Sequence, residues 1–211
     1  MPPVLLLVDV DFQKLALFVG VIAFSVILHE VAHGYVALLR GDPTAQSQGR
    51  LTLNPIPHIE LFGTILLPIV MYLGSGMAFG WARPVPVNPY ALKRPRWDLL
   101  LVAAAGPATN IVIAIFFGLL LRALPIGQTL LGDVAYQACR LNLFLAFLNL
   151  LPIPPLDGSK ITSSLFPGTL GVLNRQIAGY GFLVVLVLFI FGALGFLTDL
   201  TNAGTRLILG R

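Results

Sequence analysis

The chain has 211 residues, 57% of them hydrophobic and only 10% charged, with a mean hydropathy of +0.89. Soluble chains carry about 25% charged residues, so this one cannot cover a water-facing globular surface, and the composition is that of a polytopic membrane protein. The net charge of +4 is small and scattered, which excludes a nucleic-acid surface and leaves Lys and Arg as reporters of topology. The single cysteine, Cys139, excludes an internal disulfide.

Residues 1–11 form a short N-terminal segment with no basic start and no small-residue cleavage site, and read as retained rather than as a signal peptide. Five apolar stretches follow, against about 20 residues needed per span. The first runs from Phe12 to Leu39 and closes at Arg40-Gly41-Asp42-Pro43, where Gly suits a helix end and Pro cannot continue it. The second, Leu61–Phe79, is interrupted by Pro68, Gly74 and Gly76. It is followed by Arg83-Pro84-Val85-Pro86-Val87-Asn88-Pro89, whose prolines predict an extended connection. The third, Asp98–Leu121, lies between Lys93-Arg94-Pro95-Arg96-Trp97 and Arg122. The fourth, Val134–Leu151, ends in Pro152-Ile153-Pro154-Pro155. The fifth, Ile177–Leu197, contains LVVLVLFIF and reads as a C-terminal transmembrane helix, which sets 177–211 apart from a core of residues 12–176. The expected fold is all-α, a polytopic transmembrane helical bundle.

Chemistry concentrates in the first stretch. The chain has three histidines and two glutamates, yet His29, Glu30 and His33 fall together as H-E-V-A-H; shuffling would produce that pattern with odds of roughly 3 in 10,000. A charged group inside a membrane costs about 2.5–3.5 kcal/mol on insertion scales, so such residues need a partner or a water-filled cavity. On a helix, His29 and His33 project from one face, close enough to hold one ion, and Glu30 can reach a water on it. The alternative is a pair of histidines that hydrogen-bond between helices beside a neutral Glu30.

Two histidines do not complete a catalytic zinc site, which takes three protein ligands and leaves one position for water. His58 and Glu60 lie in the next connection. Asp157 follows Asn149-Leu150-Leu151-Pro152-Ile153-Pro154-Pro155-Leu156, where prolines break the fourth helix, and unwound backbone at membrane depth is tolerated where it lines a cavity. Gly158 gives the backbone freedom to aim Asp157. Asp157 can also be read as the N-cap of a following helix.

H-E-V-A-H, Ala105-Gly106-Pro107-Ala108-Thr109-Asn110 and the Asn149–Gly158 motif, in that order and separation, resemble the site-2 protease family of intramembrane zinc metalloproteases. Gly80–Pro89 resembles its small subgroup without a PDZ domain. The resemblance covers about residues 12–176. It implies one zinc ion held by His29, His33 and Asp157, with Glu30 as the catalytic carboxylate. It further implies that Asn149 lies near the metal and helps to polarise the substrate or stabilise the oxyanion.

If the three ligands share an ion, they share a depth, and parity follows. Arg40 and the end of the fourth stretch must then face the same side, yet three apolar stretches lie between them. One of the three does not cross, and the broken stretch 61–79 is the weakest, so a re-entrant or hairpin element is expected there. Arg40, Arg50, Arg83, Lys93, Arg94, Arg96, Lys160 and Arg175 then all lie on one side, which the positive-inside rule makes cytoplasmic. The expectation is a multi-pass protein of the bacterial cytoplasmic membrane, with its site toward the cytoplasm and transmembrane proteins as substrates. Partners are these substrates and the lipid bilayer, without nucleic acid, and no oligomer is predicted.

Roles for the remaining polar residues stay open. Asn142 is placed to line a polar channel with Asn149 or to bond between helices, and Asn110 has the same two options. Trp81, Trp97 and Tyr90 read as interfacial anchors. Arg140 either snorkels or pairs with Asp133. The competing functions are a metal-ion or proton transporter, which uses the same residue types, and a scaffold with a structural zinc, which would need a fourth protein ligand.

Overall fold

The computed structural model describes residues 12–67, 69–70 and 80–210. The expectation for segment 1–11 lies outside the described residues. Eight α-helices occur among those described: α1 (Phe12–Leu39), α2 (Thr44–Ser47), α3 (Pro95–Ala123), α4 (Leu130–Asn149), α5 (Asp157–Leu165), α6 (Thr169–Ile177), α7 (Gly181–Ile190) and α8 (Gly195–Leu209). No strand is formed among these residues. The all-α, membrane-embedded architecture is therefore as expected. Two helices are long and apolar enough to cross a bilayer, Ala16–Leu39 within α1 and Pro95–Ala123, with a third crossing if the bent pair α6–α7 counts as one.

Helices α1, α3 and α4 pack against one another along buried small residues: Ala37 from α1, Ala103 and Ala114 from α3, and Ala135, Ala138 and Ala146 from α4. Small side chains let membrane helices approach closely where no hydrophobic driving force exists between them. The opposite face of α3 carries exposed Val112 and Phe116, as a lipid-facing surface requires. α8 closes the bundle on the far side, where a Cβ at Gly118 would lie 2.3 Å from Ile208 Cγ2.

An ion pair between half-exposed Arg40 and buried Asp98 pins α1 to α3. Pro95 opens α3 at a position where no amide partner is lost. Asp98 in its first turn is fully buried, accepts the Arg94 N–H at 2.6 Å, and takes Arg40 Nε at 2.7 Å and Nη2 at 2.6 Å. The end of one long helix is thereby held beside the start of the other.

The second apolar stretch begins as a π-helical turn, Leu61–Leu66, capped by the Glu60 carboxylate on the Phe62 and Gly63 amides. Its two ends meet. Trp81 N donates to Gly63 O at 3.1 Å, and Thr64 Oγ1 donates to Trp81 O at 2.8 Å. A full span would separate these residues by the thickness of the bilayer, whereas a re-entrant element returns the chain to its starting level.

The fifth stretch differs from expectation. Residues 177–197 do not form one helix: α6 ends at Ile177, α7 sits at 83° to it, and a turn with Gly192 at φ 69° separates α7 from α8. An all-apolar run has no periodicity to show where it breaks. Glycine at Gly192 permits the left-handed turn that ends α7.

Candidate metal centre

The site is built where α1, α3 and α5 meet. His29 and His33 lie one helical turn apart on α1, both buried, with ring centroids 4.6 Å apart. Asp157 is the first residue of α5 and is also buried. Its Oδ2 lies 3.1 Å from His29 Nε2 and 3.0 Å from His33 Nε2, and the two Nε2 atoms are 3.0 Å from each other. Three donor atoms from residues as far as 128 positions apart thus form a nearly equilateral triangle.

That triangle fits a metal. Ligands bonded at 2.0–2.1 Å to a tetrahedral zinc lie about 3.3 Å apart, close to the separations found here. The remaining ring nitrogens are engaged on the other side: His29 Nδ1 lies 2.5 Å from Asn110 Oδ1, and His33 Nδ1 lies 2.7 Å from Val102 O. Both acceptors place the proton on Nδ1 and turn the Nε2 lone pairs to a common point. Asp157 Oδ1, the oxygen facing away, takes Lys160 Nζ at 3.0 Å.

Glu30 is half-buried, and its carboxylate comes within 4.8 Å of the imidazole nitrogens. Its Oε2 accepts the Val85 N–H at 2.7 Å. The extended connection therefore reaches the site, and it is firmly held. Arg83 N donates to His58 O, Arg50 Nη2 donates to Arg83 O at 2.8 Å, and Asn88 N donates to Asp42 Oδ2 at 2.6 Å. A cavity of about 810 Å³ opens here, lined by the three donor residues, Glu30, Asn149 and Lys160 together with apolar side chains.

Two glycines make room for the triangle. A Cβ at Gly106 would lie 2.5 Å from His29 Cε1 and from His33 Nε2, so α3 can pass the imidazoles only with glycine there. A Cβ at Gly158 would lie 2.2 Å from Leu150 O and 2.3 Å from Leu151 O. Gly158 is thus required for close approach of backbone rather than for conformational freedom, since it lies in an ordinary helical turn.

The other candidate residues separate from this centre. His58 is buried with Nε2 3.0 Å from Thr52 O, and Glu60 caps its own turn, so neither joins the cluster. Asp157 does not act as N-cap, a position occupied by Leu156. Asn149 lines the cavity, half-buried, with its Nδ2 donating to Leu145 O at 3.0 Å. Asn142 does not line that cavity; it is fully buried against Asn110 and Ser25. Arg140 pairs with Asn202 at 2.9 Å, not with Asp133. Trp97 and Tyr90 are exposed, but Trp81 meets Phe182 edge-on with ring centroids 4.4 Å apart and lies tilted against Phe62 at 5.8 Å, so it is a packing residue rather than an anchor. Val85 was not singled out from sequence, and only its place between two prolines hinted at an extended backbone.

A helical integral membrane protein with an H-E-x-x-H pair and a distant aspartate on one ion-sized triangle defines the class of membrane-embedded zinc metalloproteases. The comparisons agree. Residues 17–137 and 127–192 match peptidase family M50, the site-2 protease family, and the chain belongs to it. It is 43% identical over 194 residues to YwhC of Bacillus subtilis, covering 88% of this chain and 85% of that one. It is 33% identical over 204 residues to Rip2 of Mycobacterium tuberculosis, covering 90% and 77%. Both relatives carry zinc-metalloprotease names. No solved structure matches.

Proposed function

We propose that this zinc metalloprotease hydrolyses peptide bonds within or near transmembrane segments of other membrane proteins, as regulated intramembrane proteolysis. The observation that supports this most directly is the 3.0–3.1 Å triangle of His29, His33 and Asp157 beside Glu30 in a cavity bordered by the candidate span Ala16–Leu39.

His29 and His33 through Nε2 and Asp157 through Oδ2 would hold one zinc ion. A bound zinc lowers the pKa of a water to about 7 and polarises a carbonyl oxygen. Glu30 is placed to take a proton from the attacking water and deliver it to the leaving amine. The Val85 amide keeps the carboxylate aimed. Asn149 still has one amide N–H free to turn toward a developing oxyanion. The substrate must present an extended stretch, because in a helix each carbonyl is occupied by the amide four residues on. Edge addition to segment 80–90 is limited by Pro84 and Pro86, which offer no N–H, so pairing there relies on donors from the substrate.

We place the site toward the cytoplasmic face of a bacterial cytoplasmic membrane, since Arg40, Lys93, Arg94 and Arg96 gather at the end of the bundle reached by α1. The metalloprotease core is residues 12–176, and 177–211 packs on it through α7, which lines the cavity with Phe182 and Val185, and α8.

The test is the full chain in vesicles with a single-span substrate. Glu30→Gln should abolish cleavage and keep bound zinc, and His33→Ala should lose both. Cleavage that survives Glu30→Gln, or zinc that survives His33→Ala, would defeat the assignment. Ion flux through wild-type vesicles without cleavage would replace it with a transporter.

A further inference from the structure

A line of buried polar side chains runs from the metal centre into the middle of the bundle. Asn110 on α3 has its Oδ1 at His29 Nδ1, and its Nδ2 donates to Asn142 Oδ1 on α4 at 2.7 Å. Asn142 Nδ2 donates to Ser25 Oγ on α1 and to Ala138 O, each at 2.8 Å. Ser25 Oγ donates to Val21 O at 2.7 Å. Asn110 and Asn142 are fully buried and Ser25 is 1% exposed.

The direction of this chain is decided by its far end. Backbone carbonyls only accept, so Ala138 O requires the NH₂ group of Asn142 on its side, and Val21 O takes the Ser25 proton, leaving Ser25 Oγ as acceptor. The Asn142 oxygen must then face Asn110, which turns the Asn110 NH₂ toward it and the Asn110 oxygen toward His29. Without that constraint the Asn110 amide can flip, presenting a donor to Nδ1 and favouring the tautomer whose proton blocks Nε2.

We infer that Asn142, acting through Asn110, is a positioning residue that holds the His29 Nδ1 proton inward and leaves Nε2 bare for the metal. This rests on the metal-centre reading above. His33 is held separately, by Val102 O, and supplies an internal control. Ser25 is the weaker link, because Ala138 O still orients Asn142 when the hydroxyl is gone.

The experiment uses the full chain in detergent, with zinc affinity measured by chelator competition and the ring N–H signals of the zinc-loaded, ¹⁵N-histidine-labelled protein followed by NMR. Asn142→Leu should weaken zinc binding about 10- to 100-fold, the usual cost of losing such an outer partner. It should shift the His29 Nδ1–H signal and leave that of His33 in place. Asn142→Ala, which introduces no clash, should behave in the same way, and Ser25→Ala should stay within threefold of wild type. Affinity within threefold for both Asn142 variants overturns the inference, as does an unmoved His29 signal or an equal shift at His33. Failure of the wild type to bind zinc would instead overturn the metal-centre reading itself.

Discussion

The Val85 N–H meets Glu30 Oε2 at 2.7 Å, so the carboxylate beside the metal triangle is held by backbone from a segment 55 residues further along the chain. Hydrogen bonds to charged groups contribute about 1.5–3 kcal/mol. Val85→Pro deletes the donor while matching the proline-rich character of its surroundings. We expect a fall in kcat of about 10- to 100-fold, with zinc content unchanged. Cleavage assays alongside metal analysis check it, and an unchanged kcat would show that Glu30 does not depend on this contact.

Gly106→Ala separates helix propensity from the site. Gly to Ala in a helix interior ordinarily stabilises by about 0.5–1 kcal/mol. Here the added methyl would sit 2.5 Å from the imidazole atoms of both histidines. Zinc affinity should fall at least about tenfold, on the scale of losing a ligand's support. Chelator competition measures it, and zinc binding as tight as wild type would mean that the imidazoles yield freely.

Asp42 anchors the extended segment through Asn88 N and should make stability depend on pH. Burial alone would raise its carboxyl, but hydrogen bonds from the Thr44 hydroxyl and from the Asn88 and Thr44 amides outweigh this and hold it below its ordinary value. A depressed folded-state value means stabilisation that is complete above the unfolded pKa of about 3.9 and is lost as pH falls through the folded one. The Tm of the wild type in detergent should exceed that of Asp42→Asn at neutral pH, and the gap should close in acid. A gap as large at about pH 2 as at neutral pH would remove Asp42 as its source.

The meeting of Gly63 with Trp81 has a topological consequence. Lys93 should lie on the same side of the membrane as Arg40, whose carbonyl oxygen accepts the Lys93 amide at 3.1 Å. Cys139 is fully buried, so the wild type should resist thiol reagents. In intact cells, Lys93→Cys should stay unlabelled by an impermeant reagent and react once the membrane is opened. Ready labelling from outside would reverse the proposed orientation.

Much of the site was legible because polar residues are scarce in this chain. With three histidines, helical spacing alone puts His29 and His33 on one face, and proline-broken backbone marks Asp157 as a residue with a task. The shell around them was not legible. Asn110 and Asn142 each read equally well as channel lining or as bonds between helices, because sequence does not reveal the rotation of one helix against its neighbour. Trp81 suffered likewise: an aromatic near a span end suggests an interface, and only the approach of Gly63 and Phe182 shows that it is enclosed. The fifth stretch misled because apolar content reports solvent preference, not continuity, and Gly192 breaks the run without altering its hydropathy.

By itself, the sequence determined the solvent, the helical class and the shared face of His29 and His33, because burial energy and helical spacing are properties of residue type and order. Asp157, by contrast, stood out among the candidate third ligands through the family resemblance. The tertiary structure decided which way each imidazole faces, which backbone amide holds Glu30 and why glycine stands at 106 and 158. Those depend on approaches of a few ångströms between helices far apart in the chain, and side-chain periodicity within a single helix carries no record of them.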